Sequence, residues 1–271
     1  QGPRVQADRM LYREAIQEVI FNQENLSVLE AGVEEIKIDK FNKVSSVETS
    51  CGSDIKCKSV VLTTGTFLRG MIHCGTITTP AGRIGDAPAI GLAKTLEKMK
   101  FKLGRLKTGT PPRLAGKTIN WSLLEPQIGD NDPEPMSYLT SEITCPQRPC
   151  HITHTNPEVH QIIRENLHRS PIYSGQIDGV GPRYCPSIED KVVRFADRNE
   201  HQIFLEPEGL ETNLVYPNGI STSLPEDVQK QIVNGIVGLE ATKIVRPGYA
   251  IEYDHVDARE LLHTMEAKRV P

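Results

Sequence analysis

The sequence has 271 residues, of which 38% are hydrophobic and 24% are charged, and its formal net charge at pH 7 is −4. These values, together with the lack of repeats and low-complexity tracts, exclude a disordered or repetitive chain and predict one large or two intermediate globular domains. No apolar run approaches the roughly 20 residues that cross a bilayer, and the first residues lack a signal-peptide pattern. The negative charge argues against binding nucleic acid through a dominating positive field, although local basic patches are compatible with it.

The first hundred residues predict a helix, a β meander and a second helix. Leu11, Ile16 and Val19 form an apolar stripe over residues 8–20, which predicts an amphipathic helix. Strand patterns follow at residues 26–30, 33–39, 44–49 and 55–63. The last of these runs through Val60-Val61-Leu62 into Thr63-Thr64-Gly65, which is typical of a buried parallel strand that ends in a tight turn. The next helix begins at about residue 88.

The rest of the chain indicates a second, inserted domain and then a return to the first. Residues 104–148 are rich in Pro, Gly, Asp and Asn and have little periodicity. The predicted elements that follow are a strand at 151–155, helices at 157–168 and 187–198, a strand at 203–205, a helix at 225–239 and a loop-rich stretch at 246–257. The fold class is therefore α/β.

Cys185 precedes the predicted N-terminus of the helix at 187–198. Ser187 and Asp190 resemble a capping box with Asp in place of Glu. The partial positive charge of a helix N-terminus and the nearby Arg183 favour the thiolate form, which is the nucleophilic one. The alternative is a half-buried structural cysteine, the commoner fate of a free thiol. The local pattern leaves both interpretations open.

Two other stretches carry residues suited to binding. A parallel strand that ends in Thr63-Thr64-Gly65 can bring backbone close to a dinucleotide, but any buried strand followed by a turn has this pattern. Residues 104–113 offer cations and hydroxyl groups that suit a phosphate or a carboxylate. The alternative for this second stretch is a solvated hinge. It is not a P-loop, because it lacks the required glycine spacing before Lys-Ser or Lys-Thr.

The six cysteines are dispersed through the chain, which favours reduced thiols and a reducing compartment. Cys51 and Cys57 flank a predicted hairpin tip and lack the C-x-x-C spacing of a redox pair. Four residues within ten positions are of types that bind zinc: Cys145, Cys150, His151 and His154. Their spacing is not a standard zinc pattern, and the two histidines would point to opposite faces of a strand. We therefore predict no metal site.

Several motifs, in chain order, resemble those of one family. They are Gly2-Pro3-Arg4 with Gln6-Ala7-Asp8-Arg9, residues 62–68, 104–113, 151–156, 181–191 and 204–209, Tyr216-Pro217-Asn218-Gly219 and Arg246-Pro247-Gly248-Tyr249. The pattern resembles the glucose-inhibited division protein A family, the flavoprotein subunit of the tRNA uridine 5-carboxymethylaminomethyl modification enzyme. Because the resemblance spans almost the whole chain, it is far more specific than any single motif.

The resemblance implies a glutathione-reductase-type FAD-binding domain, with a parallel sheet and a β meander, interrupted by an inserted α/β domain that binds NADH. We therefore expect residues 1–103 and 199–271 to belong to the FAD-binding domain and residues 104–198 to form the NAD(H)-binding domain. The family acts as a homodimer with a GTPase partner on C5 of the wobble uridine of tRNA, with methylene-tetrahydrofolate as carbon donor. The expected location is the bacterial cytoplasm, or the mitochondrion if the source is eukaryotic.

The resemblance also assigns roles to residues. Cys185 matches the essential cysteine of the family, and a thiolate is suited to add to C6 of uridine. Ala89 stands at a flavin-contacting position where the family usually has serine. The side-chain hydrogen bond of serine would therefore be lost, and only a backbone contact would remain. The expected cofactor-binding residues are Val33, Thr63, Thr64, Gly65, Ala89, Lys107, Gly181, Pro182, Arg183, Tyr184, Pro186, Ser187, Ile188, Glu189, Asp190 and Lys191. Cofactor binding and nucleophilic attack therefore compete for the loop at 181–191.

The chain begins at Gln1 without methionine and stops at Pro271 without a capping pattern, so we expect both ends to be cuts. The Gly-rich FAD loop, the closing flavin segment and the C-terminal domain of the family would then be absent. One alternative is a folate- and FAD-dependent tRNA uracil methyltransferase, but residues 104–113 and 181–191 argue against it. The other alternative is a non-catalytic fragment that acts as a binding or dimerisation module.

Overall fold

The computed structural model describes residues 5–177 and 186–270, which form two compact units. The described residues of the first unit are 5–27, 110–168 and 186–248, and those of the second unit are 28–109, 169–177 and 249–270. Each unit is therefore assembled from three separate stretches of chain. None of the helices in these residues combines the length and the apolar character that a bilayer crossing requires.

The helices and strands of the described residues are numbered in chain order. The helices are α1 (Arg9–Phe21), α2 (Ile90–Lys98), α3 (Pro157–Glu165), α4 (Ile188–Arg194) and α5 (Glu226–Asn234). The strands are β1 (Val33–Ile38), β2 (Val44–Thr49), β3 (Asp54–Lys56), β4 (Met71–Cys74), β5 (Ile77–Pro80), β6 (Leu103–Thr110), β7 (Arg113–Ala115), β8 (Glu125–Gln127), β9 (Cys150–His154), β10 (Gln202–Pro207), β11 (Leu214–Asn218), β12 (Ile244–Arg246) and β13 (Tyr249–Val256).

The first unit is built on a six-stranded antiparallel sheet with the strand order β12-β7-β11-β10-β9-β8. Helices α3, α4 and α5 contribute apolar side chains to the same core as the sheet. Its completely buried members are Leu114, Val159, Ile163, Ile188, Ile203, Leu205, Leu224, Val228, Ile236 and Leu239. Burying a side chain of this size stabilises the fold by about 1.5–3 kcal/mol, so this cluster is the main stabilising element of the unit.

The carboxylate of Asp8 attaches helix α1 to the rest of the first unit, in addition to the contact of Arg9 with Glu208. Oδ1 of Asp8 accepts hydrogen bonds from the backbone N–H groups of Met10 (2.8 Å) and Leu11 (3.0 Å), which caps the helix. Oδ2 accepts a hydrogen bond from the N–H of Leu210 at 2.6 Å. The donors at Leu11, Leu210 and Met10 stabilise the charged form and lower the pKa of Asp8. One side chain thus satisfies a helix N-terminus and also attaches it to a loop more than 200 residues away.

The second unit contains two smaller sheets, one of order β1-β2-β3 and one of order β5-β4-β13-β6. The pairings β1 with β2 and β2 with β3 are antiparallel, so the meander predicted from the sequence is confirmed. Helix α2 packs on β1, and Leu92, Ala93 and Leu96 of the helix share a core with Ile36 and Leu68. Ala89 is the N-cap residue of α2, so the helix begins two residues later than predicted.

Three predicted elements are wrong. Residues 26–30 form no strand. Of the strand predicted at 55–63, only Ile55 and Lys56 lie in β3, and Val61 is 86% exposed. A parallel strand requires hydrogen-bonded neighbours, and the described residues place none beside 59–64. The stretch 246–257, expected as loop, contains β13, which pairs with β4. Its buried Glu252 and Asp254 interrupt the apolar pattern by which a strand is recognised.

Helix α5 ends five residues earlier than predicted, because Gly235 is its C-cap residue. Ile236 and Leu239 continue the apolar period of the helix but are buried in the turns that follow it. The remaining helices and the strands β1, β2, β9 and β10 lie close to their predicted positions, which confirms the α/β class.

The units do not share the boundaries expected for the two cofactor-binding domains. The expected boundary at 198/199 lies within the first unit, because β10 pairs with β9 and β11 pairs with β7. Which unit binds which cofactor stays a prediction.

Replacing Gly70 by alanine should destabilise the protein by about 2–3 kcal/mol, because overpacking against backbone atoms cannot be relieved by a rotamer change. A Cβ atom at this position would lie 2.2 Å from the carbonyl oxygen of Ala81 and 2.7 Å from that of Thr66. Gly129→Ala is the matched control, because a Cβ atom there meets nothing within 4 Å. Urea denaturation measures both free energies of unfolding, and equal values for the two variants would contradict the close packing at Gly70.

Candidate functional site

The first unit has an open cavity of about 510 Å³ beside the C-terminal end of α4 and the neighbouring ends of β9 and β10. It is lined by His154, Pro186, Lys191, Phe195, Arg198, Glu200, His201, Gln202 and Phe204. Lys191 and Arg198 provide positive charge, and Phe195 and Phe204 provide aromatic rings. Its volume lies within the range of small-molecule binding sites. We refer to it as the α4 cavity.

Successive side chains of β10 point alternately into the core and into the α4 cavity. Ile203 and Leu205 are completely buried in the core cluster, whereas Gln202 and Phe204 line the cavity. Gln202 lies opposite His154 in the pairing with β9, so β9 contributes a histidine to the same wall. The rigid centre of the sheet therefore positions one side of the cavity.

Helix α4 positions the other side. Ser187 Oγ accepts a hydrogen bond from the N–H of Asp190 at 3.2 Å, and Asp190 Oδ2 accepts one from the N–H of Ser187 at 3.1 Å. This arrangement confirms the predicted capping box. One turn further along, Lys191 Nζ donates a hydrogen bond to the carbonyl oxygen of Gly219 at 2.8 Å. The start of the helix and the cation on its cavity side are thus both held in place.

The structure separates the residues that were expected to bind a cofactor at 186–191. Pro186 and Lys191 line the α4 cavity, and Ser187 and Asp190 cap the helix. Ile188 belongs to the core cluster. Glu189 is completely buried, and its Oε1 accepts hydrogen bonds from Thr222 Oγ1 (3.0 Å) and the N–H of Ser223 (3.2 Å). Gly181, Pro182, Arg183, Tyr184 and Cys185 lie outside the described residues.

Two buried histidine rings, His160 and His201, lie against each other at an angle of 31°, and of the two only His201 lines the α4 cavity. The ring centroids of His160 and His201 are 5.1 Å apart. His160 Nε2 and Thr155 Oγ1 form a hydrogen bond of 2.7 Å, and the same hydroxyl oxygen accepts the N–H of His201 at 2.8 Å. Thr155 therefore holds both residues in position.

Both rings are kept neutral near pH 7. Burial lowers the pKa of His160, and the positive charge of Arg164 lowers it further. Burial is also the largest cause that lowers the pKa of His201, followed by His160, Lys191 and Arg198. Neutral imidazole carries one N–H donor and one acceptor nitrogen, so each ring can make directional hydrogen bonds without a net charge.

Two of the positions expected to contact flavin, Val33 and Ala89, lie around one apolar cluster of the second unit. Val33 and Ala89 both pack against the cluster that contains Leu68 and Leu92, and Val60 packs there too. The N–H of Ala89 donates to the carbonyl oxygen of Phe67 at 2.8 Å, and its own carbonyl oxygen accepts from Arg69 at 3.3 Å. The backbone of Ala89 is therefore already hydrogen bonded within the chain.

Residues 64–67 form a turn with Gly65 and Thr66 at its centre. Thr63 and Gly65 are exposed, Thr64 is half-buried, and the carbonyl oxygen of Thr64 accepts the N–H of Phe67 at 3.0 Å. Gly65 has a φ of +52°, a conformation that favours glycine. The predicted turn is confirmed, although the strand expected before it is not.

The cations of residues 104–113 are engaged inside the protein. Arg105 contacts Asp254 (2.8 Å) and Glu252 (3.1 Å) in the second unit. Arg113 contacts Glu208 (2.5 Å) in the first unit and lies 4.4 Å from the centre of the Tyr216 ring. Lys107 is 4% exposed. Arg105 and Arg113 are thus each engaged by carboxylates of their own unit.

The region of the four possible zinc ligands has other contacts. The His151 ring lies 4.7 Å from that of Trp121, whereas His154 lines the α4 cavity. Within residues 5–177 and 186–270, no group of three or more His, Cys, Asp or Glu side chains is arranged to hold a metal ion.

Sequence reasoning missed most of the α4 cavity and one activated thiol. Phe195, Arg198 and His201 follow the helix at spacings of three, which is the pattern that could have marked them. Hydrogen bonds from Thr49 and then Ser53 lower the pKa of the exposed Cys51 thiol to about 7. Only the hairpin geometry places these two hydroxyl groups around the sulfur atom, at 3.0 and 3.6 Å.

The fold and the cavity define a mixed α/β protein with two compact units, one of which carries an open cavity suited to a ligand with anionic and aromatic parts. The chain belongs to the glucose-inhibited division protein A family, whose sequence model matches residues 1–271. This match confirms the family predicted from the motifs.

Two solved structures are similar to this chain along nearly its whole length. Aquifex aeolicus GidA in its form I crystal is 48% identical, with a TM-score of 0.91, and the match covers 97% of this chain and 45% of that one. For the form II crystal the identity is 46%, the TM-score is 0.90, and the coverage is 98% and 43%. The chain thus spans less than half the length of the GidA structures that it matches.

We expect the free energy of unfolding to decrease as the pH falls from 7.5 to 5.5. The pKa values of His160 and His201 are lowered in the folded protein. Below pH 6.5 the unfolded chain therefore binds more protons than the folded chain, and each histidine costs up to about 1.4 kcal/mol per pH unit.

Urea denaturation across this pH range checks the expectation. His160→Gln should give a smaller pH dependence than the unchanged protein, because it removes one of the histidines whose pKa burial lowers, a set that also includes His201, His73 and His151. His263→Gln is the control, since His263 is exposed. An unaltered slope in the His160 variant would show that the buried pair does not control acid stability.

Proposed function

We propose that this protein acts in tRNA modification of the GidA type. The observation that carries the proposal is that the family match covers every residue of the chain, with 48% identity to A. aeolicus GidA. In its finer form, the proposal is that the protein is the FAD-binding subunit that builds a carboxymethylaminomethyl group on C5 of the wobble uridine of tRNA. It would act as a homodimer with a GTPase partner and use methylene-tetrahydrofolate as carbon donor.

FAD is assigned to the second unit. The placement of Val33 and Ala89 around one apolar cluster supports this assignment, because a flavin nucleotide needs an apolar wall formed by neighbouring elements. The Ala89 backbone is occupied by Phe67 and Arg69, so Ala89 contributes packing at this wall. Bound FAD supplies the redox chemistry, and the residues of this unit bind and orient it.

NADH is assigned to the α4 cavity. Lys191 and Arg198 suit the negative charge of a diphosphate, and the rings of Phe195 and Phe204 suit the planar ends of a dinucleotide. NADH, when bound, supplies the hydride that reduces FAD. The assignment agrees with the expectation that residues 186–191 contribute to cofactor binding, since Pro186 and Lys191 line the cavity.

Cys185 is proposed as the nucleophile from its sequence alone. Uridine C5 is a poor nucleophile until a group adds to C6, and a thiolate is suited to that addition. Cys185 precedes a helix N-terminus whose capping box is present in the structure. The partial positive charge of that terminus favours the thiolate.

The first test uses the protein expressed from its complete coding sequence in a bacterium that lacks its own GidA-type gene. We expect it to restore 5-carboxymethylaminomethyluridine in tRNA, measured by mass spectrometry of nucleosides, and to carry a flavin absorption band. Cys185→Ser should abolish the modified nucleoside and leave flavin content and thermal stability unchanged.

Cys51→Ser is the matched control, because the Cys51 thiol is exposed and has a pKa of about 7. It should keep the modification, which shows that not every activated thiol is required. Normal modification with Cys185→Ser would refute the nucleophile, whereas no modification by the unchanged protein would refute the proposed function itself.

The second test addresses the α4 cavity. Arg198→Gln should weaken NADH binding about tenfold, the effect of losing one charge-assisted contact. Arg194→Gln is the control, because Arg194 is an exposed arginine of the same region that does not line the cavity. Titration of NADH fluorescence measures both affinities. Equal weakening in the two variants would show that the arginines act by nonspecific electrostatic attraction and would contradict a specific site in the cavity.

A further inference from the structure

One buried polar atom of a residue that lines the α4 cavity has no hydrogen-bond partner among the residues that the structure describes. His201 lines the cavity, its residue is only 7% exposed, and its Nε2 is buried without a partner. Buried polar atoms are almost always hydrogen bonded, because desolvation without a partner is costly. Ring nitrogens of His73, His151 and His255 are also buried without a partner, but of these four histidines only His201 lines the α4 cavity, where a ligand could supply the missing bond.

The other histidine of the stacked pair provides a contrast. His160 Nε2 forms its hydrogen bond with Thr155 at 2.7 Å, and His160 does not line the cavity. His160 is 1% exposed and His201 is 7% exposed, and both residues bond to the same threonine. Of the two rings, only that of His201 has a buried nitrogen without a partner.

The His201 ring is held in place before any ligand binds. Its backbone N–H donates to Thr155 Oγ1 at 2.8 Å, its carbonyl oxygen accepts the N–H of Thr155 at 3.0 Å, and its ring stacks on His160. A residue with a fixed ring loses little conformational entropy when it forms a hydrogen bond with a ligand. His201 is therefore organised for recognition.

The protonation state of the His201 ring determines which ligand groups it can bind. Burial, followed by His160, Lys191 and Arg198, lowers the pKa of His201, and the backbone of Lys191 opposes this by a hydrogen bond to the ring. A ring N–H directed at the Lys191 carbonyl leaves Nε2 as the unprotonated acceptor. The ligand group that meets Nε2 must then be a donor, such as a hydroxyl or an amide N–H.

We infer that His201 is a specificity-determining residue of the α4 cavity, and that its Nε2 accepts a hydrogen bond from a ribose hydroxyl or carboxamide group of a bound nicotinamide nucleotide. The inference rests on the proposed assignment of NADH to this cavity. Arg198 and Lys191 supply charge, and Phe195 and Phe204 supply stacking. The hydrogen bond to His201 is an additional polar contact, and it orients the ligand.

The test compares three variants of His201 in the protein expressed from its complete coding sequence. The amide oxygen of glutamine reaches the position of Nε2, that of asparagine reaches only the position of Nδ1, and leucine keeps the volume without an acceptor. We expect His201→Gln to bind NADH within about twofold of the unchanged protein, and His201→Asn and His201→Leu to bind about tenfold more weakly, the effect of one hydrogen bond. Stopped-flow flavin reduction should show the change in the dissociation constant of NADH and not in the limiting rate.

His160→Asn is the matched control, because it disrupts the same histidine pair without touching the cavity. Its melting temperature should fall while its affinity for NADH stays unchanged. Unaltered NADH binding by His201→Asn and His201→Leu would overturn the inference and leave the NADH assignment standing, as would equal losses in all three His201 variants. A failure of the unchanged protein to bind NADH would overturn the NADH assignment together with the inference.

Discussion

The first unit depends on the burial of strand β10 at the centre of its six-stranded sheet. Its backbone is hydrogen bonded to β9 on one side and to β11 on the other. Ile203 and Leu205 are completely buried against the helices, whereas Gln202 and Phe204 face the α4 cavity. Because side chains alternate along a strand, the same pairing that builds the core also fixes one wall of the candidate site. Stability and site geometry are therefore determined by one element.

Buried carboxylates organise the parts of the chain that are not held by apolar contacts. Glu208 receives both Arg113 and Arg9, at 2.5 and 2.9 Å, and Asp8 joins α1 to Leu210. In the second unit, Glu252 and Asp254 of β13 receive Arg105. A buried charge is tolerated only when it is paired and hydrogen bonded, so these arginines are committed to the fold. This explains why a stretch rich in cations, residues 104–113, is not an open anion site.

The α4 cavity differs from these paired networks because one of its buried polar atoms has no partner among the described residues. Lys191 is held by Gly219, and the histidine pair is held by Thr155, yet the lining retains positive charge, aromatic rings and the open nitrogen of His201. Such a combination favours a ligand that is anionic at one part and planar at another. The proposed occupant, NADH, has both of these parts.

The sequence by itself determined the family, the α/β class, most helices and the capping box at Ser187, because these follow from local spacing and from motifs that do not depend on distant contacts. The structure alone decided that residues 60–62 form no strand, since a strand exists only where partner strands are in place. It alone revealed β13, whose polar residues Glu252 and Asp254 are buried by pairing with Arg105. It also decided which residues meet at the α4 cavity. His154 is distant in the chain from Lys191 and His201. Only the pairing of β9 with β10 and the packing of α4 bring these three residues to one place.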